Sequence, residues 1–267
     1  RDERRSGSKS PAHRRPVSWL TVLSLTVDQR QALEDSVLAA PVIRRVADAF
    51  AAAGHDVHLV GGPVRDALMG RGVHDLDFTT GARPDAIETI LRTLTPATWD
   101  IGRAFGTIGA SLHDEAGAWV VEVTTFRADS YDPDSRKPTV EFGDTLEGDL
   151  VRRDFAVNAM ALSVVTGAFT DPYGGLDDLA AGVLRTPSPP EVSFSDDPLR
   201  MMRAARFAAQ LGFTPAPEVV EAMTAMVERI DIISAERVRD ELSRLLLADA
   251  PRPGLDLMVL TGLADRV

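Results

Sequence analysis

Residues 57–79 read Val-His-Leu-Val-Gly-Gly-Pro-Val-Arg-Asp-Ala-Leu-Met-Gly-Arg-Gly-Val-His-Asp-Leu-Asp-Phe-Thr, and this stretch constrains the fold more than any other. A short apolar strand, Val57–Val60, runs into the pair Gly61 and Gly62. A helix carrying Arg65 follows, and then a strand with Asp75 and Asp77 two residues apart. Side chains alternate along a strand, so both carboxylates share one face while Leu76 and Phe78 enter the core. Glycines let backbone approach a phosphate, and a helix start offers free N–H groups to an anion. Arg65 adds a cationic fork suited to phosphate oxygens. Two hard oxygen ligands on one face suit Mg²⁺, which takes a few carboxylates plus substrate phosphates. A glycine pair alone is often only a turn, and Asp-x-Asp is common on exposed strands. Together, in strand–turn–helix–strand order, they point to a nucleotide site used for metal-assisted phosphoryl transfer.

The chain has 267 residues, 44% of them hydrophobic, enough for one large or two small domains. It contains no run of about 18 apolar residues, so no membrane span is expected. With no cysteine, thiolate zinc sites and disulfides are excluded, and a reducing cytoplasm is the expected location. The net charge of −11 argues against a generic polyanion binder, so nucleic-acid contact requires a local basic surface.

Residues 1–26 read as a disordered leader. The pattern is helical from Val27 to Ala53, again from Ala82 to Leu94, and from Asp154 to Val164. Strands are expected at Gly106–Leu112 and Trp119–Phe126. Residues 127–149 form a long polar loop carrying Asp132, Asp134, Arg136 and Lys137. Asp171-Pro-Tyr-Gly-Gly-Leu-Asp-Asp-Leu reads as a turn and short helix. From residue 187 onward the strand signal nearly vanishes and a 3.6-residue apolar period takes over. The expected class is α+β: a small mixed or antiparallel sheet with helices over 27–186, then an all-helical domain over 187–267. A helix over Leu255–Leu263 has little on which to pack, which suggests a longer protein.

Three further segments carry chemistry. Glu122 lies mid-strand between Val121 and Val123; it is either on a solvated face or a third metal ligand beside Asp75 and Asp77. Arg152 and Arg153, read as lying beside a helix start, either hold a triphosphate or are surface arginines bridged to Glu147 and Asp149. Asp197, Arg200, Arg203 and Arg206 recur at i+3 spacing. Such a ridge is usually solvated and salt-bridged, yet an Asp and an Arg one turn apart also match the edge of a base.

The order of motifs resembles the class II tRNA nucleotidyltransferases: CCA-adding enzymes and the related bacterial poly(A) polymerases, of the DNA polymerase β-type superfamily. The motifs are Gly-Gly-x-Val-Arg-Asp, Asp-x-Asp, Glu-Val-Thr-Thr-Phe-Arg, Arg-Arg-Asp-Phe-x-x-Asn-Ala-Met, Asp-Pro-x-Gly-Gly, Asp-Asp-x-x-Arg-x-x-Arg-x-x-Arg-Phe and Ser-x-Glu-Arg-x-x-x-Glu. The resemblance implies that Asp75 and Asp77 hold catalytic Mg²⁺ with Glu122 as the third carboxylate. It implies that Gly61, Gly62, Arg65 and Arg153 cradle the triphosphate, with Asp154 by the ribose and Asn158 of the same motif also binding nucleotide. Asp197 and Arg200 become a protein template for CTP or ATP, with Arg203 and Arg206 nearby. Residues 127–138 become a flexible loop used in switching from C to A addition. The template usually begins Glu-Asp; here it reads Asp196-Asp197.

The leading expectation is CCA addition to tRNA 3′ ends by the head and neck of a protein that continues into body and tail domains. The nearest rival is a poly(A) polymerase with the same active site, followed by a CC-only enzyme; a non-catalytic RNA-binding module is the alternative from another class. Gly102-Arg-Ala-Phe-Gly-Thr-Ile-Gly resembles the CCA-type stretch and favours the first.

Overall fold

The computed structural model describes residues 25–73, 75–115, 117–127 and 142–267. Except for Leu25, Thr26 and Arg127, the expected leader and the 127–138 loop lie outside the described residues. Thr26 caps helix α1 (Val27–Leu33) with a reciprocal capping box: its hydroxyl accepts from Gln29 N–H at 3.2 Å, and Gln29 Oε1 accepts from Thr26 N–H at 2.9 Å. A π-helical turn over Glu34–Leu38 separates α1 from α2 (Pro41–Ala52), whose buried face is Val42, Ile43, Val46, Ala47 and Phe50.

Strand β1 (Val57–Val60) leads through Gly61 into α3 (Gly62–Leu68), and β2 (Asp75–Thr80) follows. Helix α4 (Pro84–Leu94) precedes β3 (Thr98–Trp99), β4 (Thr107–Asp114) and β5 (Gly117–Thr125). After α5 (Leu146–Val151) come β6 (Ala161–Ser163) and β7 (Phe169–Thr170). The seven strands described form one mixed sheet in the order β3-β4-β5-β2-β1-β6-β7, antiparallel except for the β2–β5 pair. Leu76, Phe78, Ile108, Ala110, Leu112, Val121 and Val123 from one sheet face join the buried residues of α2 and α4 in a single core. Helices on that face leave the other face for polar side chains. At Gly109 a Cβ would sit 2.1 Å from the Trp99 indole, so only glycine lets Trp99 lie across β4.

The helix expected over Asp154–Val164 is not formed. A 3₁₀ turn at Ala156–Asn158 and strand β6 replace it, and every residue from Asp154 to Val164 is buried. With no solvent side, apolar spacing carries no period, and the segment pairs with β1 as an inner strand. Arg152 and Arg153 likewise follow the end of α5 rather than preceding a helix.

Helix α6 (Gly175–Ala181) and β8 (Val183–Leu184) lead to α7 (Pro190–Asp196), α8 (Leu199–Leu211), β9 (Thr214–Pro215), α9 (Pro217–Met226), α10 (Ala235–Leu246) and α11 (Arg252–Leu260). Their core centres on α8, whose Met201, Met202, Ala204 and Ala205 are fully buried, and it recruits Phe155, Val157 and Leu184 from earlier in the chain. The last helix does find a surface. Leu257 and Met258 pack into this core, and Gly254 comes so close to α8 that a Cβ would lie 2.3 Å from the Ala205 carbonyl oxygen. Leu255, Val259 and Leu260 remain exposed.

Candidate active site

The parallel register of β2 and β5 sets Asp77 directly beside Glu122 and Asp75 beside Val120. Neighbouring strands lie about 4.8 Å apart, and paired residues share a face. Asp75, Asp77 and Glu122 therefore stand on one exposed face, with Leu76, Phe78, Val121 and Val123 buried behind them. Desolvation by the surrounding protein pushes Asp77 up from its ordinary pKa; Arg153 opposes, Asp75 adds, and Arg203 opposes. Glu122 is raised by desolvation and then by the charges of Asp77 and Asp75. Neighbouring like charges are relieved by a cation, and an all-oxygen donor set suits a hard divalent one. Among the described residues, no group of three or more His, Cys, Asp or Glu side chains is gathered tightly enough to hold a metal ion. The structure brings the three carboxylates onto one face without assembling a finished ligand cage.

Beside them lies the glycine turn. Gly61 has φ 73° and ψ −137°, a conformation in which a side chain is strained. Its missing Cβ would lie 3.2 Å from Arg153 Nη1, so the guanidinium sits over the turn. Asp149, one turn earlier on α5, holds Arg153 through an ion pair of 3.2 Å. Arg65 is 8% exposed, and its fork lies beside Gly62. Nη1 donates to Asn158 Oδ1 at 2.6 Å, and Nε and Nη2 donate to Asp66 at 2.9 and 3.0 Å.

Asn158 passes the chain of contacts onward by donating to Asp154 Oδ1 at 3.0 Å, which also accepts from Phe155 N–H at 2.8 Å. Asp154 Oδ2 pairs with Arg203 Nη2 of α8 at 2.7 Å. Burial acts to raise Asp154, but Arg203 and the hydrogen bond from Asn158 outweigh it and hold the carboxyl below its ordinary range. Asp66, Arg65, Asn158, Asp154 and Arg203 thus form one polar chain from the glycine turn to α8. The Phe207 ring is its packing centre, with the guanidinium carbons of Arg65, Arg203 and Arg206 at 5.4, 5.8 and 4.2 Å from the centroid.

Asp197 and Arg200 do not share a helix. Asp197 terminates α7, and α8 starts at Leu199. Asp197 Oδ1 accepts from Leu199 N–H at 3.2 Å, and Oδ2 pairs with Arg237 at 3.0 Å. The solvated ridge is not what forms: Arg200 and Arg206 are 7% and 9% exposed. Arg206 Nε donates to Glu241 Oε2 at 2.6 Å, and Arg200 donates to Ser193 and to the Arg152 carbonyl. Spacing alone missed the parts played by Ser193 and Phe207, whereas the bridge from Arg153 to Asp149 is one of the two readings the sequence offers. Arg237 and Glu241 were visible as i, i+4 members of Ser234-Ala-Glu-Arg-Val-Arg-Asp-Glu, but their partners were not.

Two family descriptions match: "Poly A polymerase head domain" over residues 57–185, and "Probable RNA and SrmB- binding site of polymerase A" over residues 212–267. The chain is 40% identical to the CCA-adding enzyme of Bacillus subtilis over 232 residues, covering 86% of this chain and 55% of that protein. A Streptococcus pneumoniae CCA-adding enzyme is 41% identical over 222 residues, 83% of this chain and 52% of that protein. The crystal structure of the Bacillus stearothermophilus CCA-adding enzyme in complex with CTP superposes with a TM-score of 0.72 at 34% identity, over 86% of this chain and 52% of that one. The Thermotoga maritima CCA-adding enzyme complexed with tRNA gives a TM-score of 0.71 at 26% identity, over 88% of this chain and 54% of that one. The chain thus spans about half the length of the relatives it matches. With motifs, sheet order and both segments in agreement, the chain belongs to the tRNA nucleotidyltransferase and poly(A) polymerase family.

Proposed function

We propose that this chain is the catalytic part of a CCA-adding enzyme, a template-independent RNA nucleotidyltransferase that extends tRNA 3′ ends from CTP and ATP. The observation that carries this reading is the β2–β5 register, which pairs Asp77 with Glu122 beneath Arg153 and the Gly61 turn. In the proposed division, residues 27–186 form the nucleotidyltransferase head and 187–267 the helical neck that selects the nucleotide. Asp75, Asp77 and Glu122 would hold Mg²⁺, which when bound would supply Lewis-acid polarisation of the 3′-hydroxyl and charge neutralisation at the leaving pyrophosphate. Gly61, Gly62, Arg65 and Arg153 receive the triphosphate, and the hydrogen-bonded Asp154–Asn158 pair faces the ribose. Asp197 and Arg200 read the base edge, with Arg203 and Arg206 nearby: Arg203 ties α8 to Asp154 of the head, and Arg206 ties it to Glu241 of α10. The 3′-hydroxyl attacks the α-phosphate in line, with charge neutralisation and positioning carrying the rate. Such an enzyme acts in the cytoplasm, where its substrates are.

The matching head-domain description keeps poly(A) addition as the rival. The relatives named CCA-adding enzymes favour C and A addition. Incubation with tRNA lacking its terminal CCA, plus CTP and ATP, followed by sequencing of the product, separates the two. Addition of C, C and A supports the proposal; long A tails without C reject it. Weak tRNA affinity is expected of these 267 residues alone.

A further inference from the structure

Arg200 carries a buried guanidinium whose flanking groups are neutral oxygens. Nη1 donates to Ser193 Oγ at 2.7 Å and reaches the Ser193 carbonyl at 3.4 Å. Nη2 donates to the carbonyl oxygen of Arg152. A guanidinium is a rigid planar fork, so two acceptors on its two Nη groups fix the direction of its plane. One of those acceptors is backbone contributed by the head. The other is a hydroxyl on α7, and Ser193 is 0% exposed, one turn before Asp197. Asp197 is held independently by Leu199 N–H and Arg237. The two side chains assigned to the base edge are therefore steadied by different neighbours, and the hydroxyl of Ser193 is the side-chain acceptor on the Arg200 side.

We propose that Ser193 is a positioning residue for nucleotide choice: its hydroxyl sets the plane of Arg200 relative to Asp197. This rests on the reading of Asp197 and Arg200 as the base-reading pair. A side chain that aims a donor fork governs which base edge the fork fits, because a misdirected donor leaves buried polar groups unpaired. Ser193 is fully buried and its hydroxyl is engaged by Arg200, so its removal is expected to act through the direction of that guanidinium, on discrimination rather than on overall triphosphate affinity.

The test is equilibrium binding of CTP, ATP, GTP and UTP to the 267-residue chain, with Ser193→Ala and Ser193→Thr beside it. Alanine is the better helix former at this position, and circular dichroism of both variants checks folding. The expected result is a preference for CTP and ATP in the parent and about a tenfold loss of that preference in Ser193→Ala. Total affinity for triphosphate changes little, and Ser193→Thr, which keeps the hydroxyl, retains the preference. An unchanged preference in Ser193→Ala overturns this inference alone. A uniform loss of affinity for all four nucleotides, or loss of preference in Ser193→Thr as well, also overturns it, as a merely structural effect. A parent chain that binds the four nucleotides equally overturns the base-reading assignment and this inference together.

Discussion

At the residue scale, Arg65, Arg153, Arg203, Arg206 and Asp154 are each answered by a particular neighbour, whereas Asp75, Asp77 and Glu122 stand together as like charges. Asp154 is the most committed of them, with both oxygens engaged by Phe155, Asn158 and Arg203. Its carboxyl is held below the ordinary range. A depressed carboxylate contributes stability that is complete above the unfolded value of about 4 and is lost as pH falls through the folded one. Asp154→Asn is expected to cost about 2 kcal/mol at neutral pH, less than a fully enclosed pair because the Arg203 side chain is 37% exposed. The difference from the parent, measured by urea unfolding across pH, shrinks below about pH 4; a constant gap would argue against the ion pair. Gly61→Ala must tolerate φ 73° and a Cβ 3.2 Å from Arg153 Nη1. It is expected to cost about 1–3 kcal/mol of stability and to weaken triphosphate binding by displacing Arg153, read by the same unfolding assay and by nucleotide titration.

At the element scale, legibility depended on whether an element has a wet side. Strand β2 was plain because Asp75 and Asp77 alternate with buried Leu76 and Phe78. The Gly-Gly turn was plain because Gly61 needs a conformation that other residues avoid. The segment after Asp154 was misread as helix because it is buried throughout, which erases the alternation that would have marked strand β6. The arginines of α8 look solvated in the sequence because their partners lie on other elements: Arg206 meets Glu241 of α10, and Arg200 meets Ser193 of α7 and the Arg152 carbonyl after α5. Helix α11 looked unsupported because its counterpart, Ala205, is distant in sequence. That contact yields a prediction: Gly254→Val pushes a side chain into the Ala205 carbonyl and is expected to cost about 1–3 kcal/mol or more by overpacking. Glu241→Gln, which leaves Arg206 buried without its anion, is expected to cost about 3 kcal/mol and to unfold α8 and α10 together. Thermal melts of the two variants check both.

At the scale of the whole molecule, the sheet presents acids and α8 presents arginines, and Arg65–Asn158–Asp154–Arg203 joins the two through a chain of polar contacts. The net charge of −11 makes this local opposition of charge, rather than any bulk field, the basis of the proposed nucleotide capture. A divalent cation is therefore expected to raise the melting temperature of the parent, and Asp77→Asn to abolish most of that rise while leaving the metal-free melt intact or higher. The central claim is that Asp75, Asp77 and Glu122 grip a cation under the triphosphate. Its most direct measurement is anomalous X-ray scattering from crystals grown with Mn²⁺ and a non-hydrolysable CTP analogue. The account predicts a metal peak within about 2.0–2.2 Å of carboxylate oxygens of Asp75 and Asp77, on the face shared with Glu122. Saturating Mn²⁺ that leaves this face empty, or binds away from the β2–β5 pair, would contradict it.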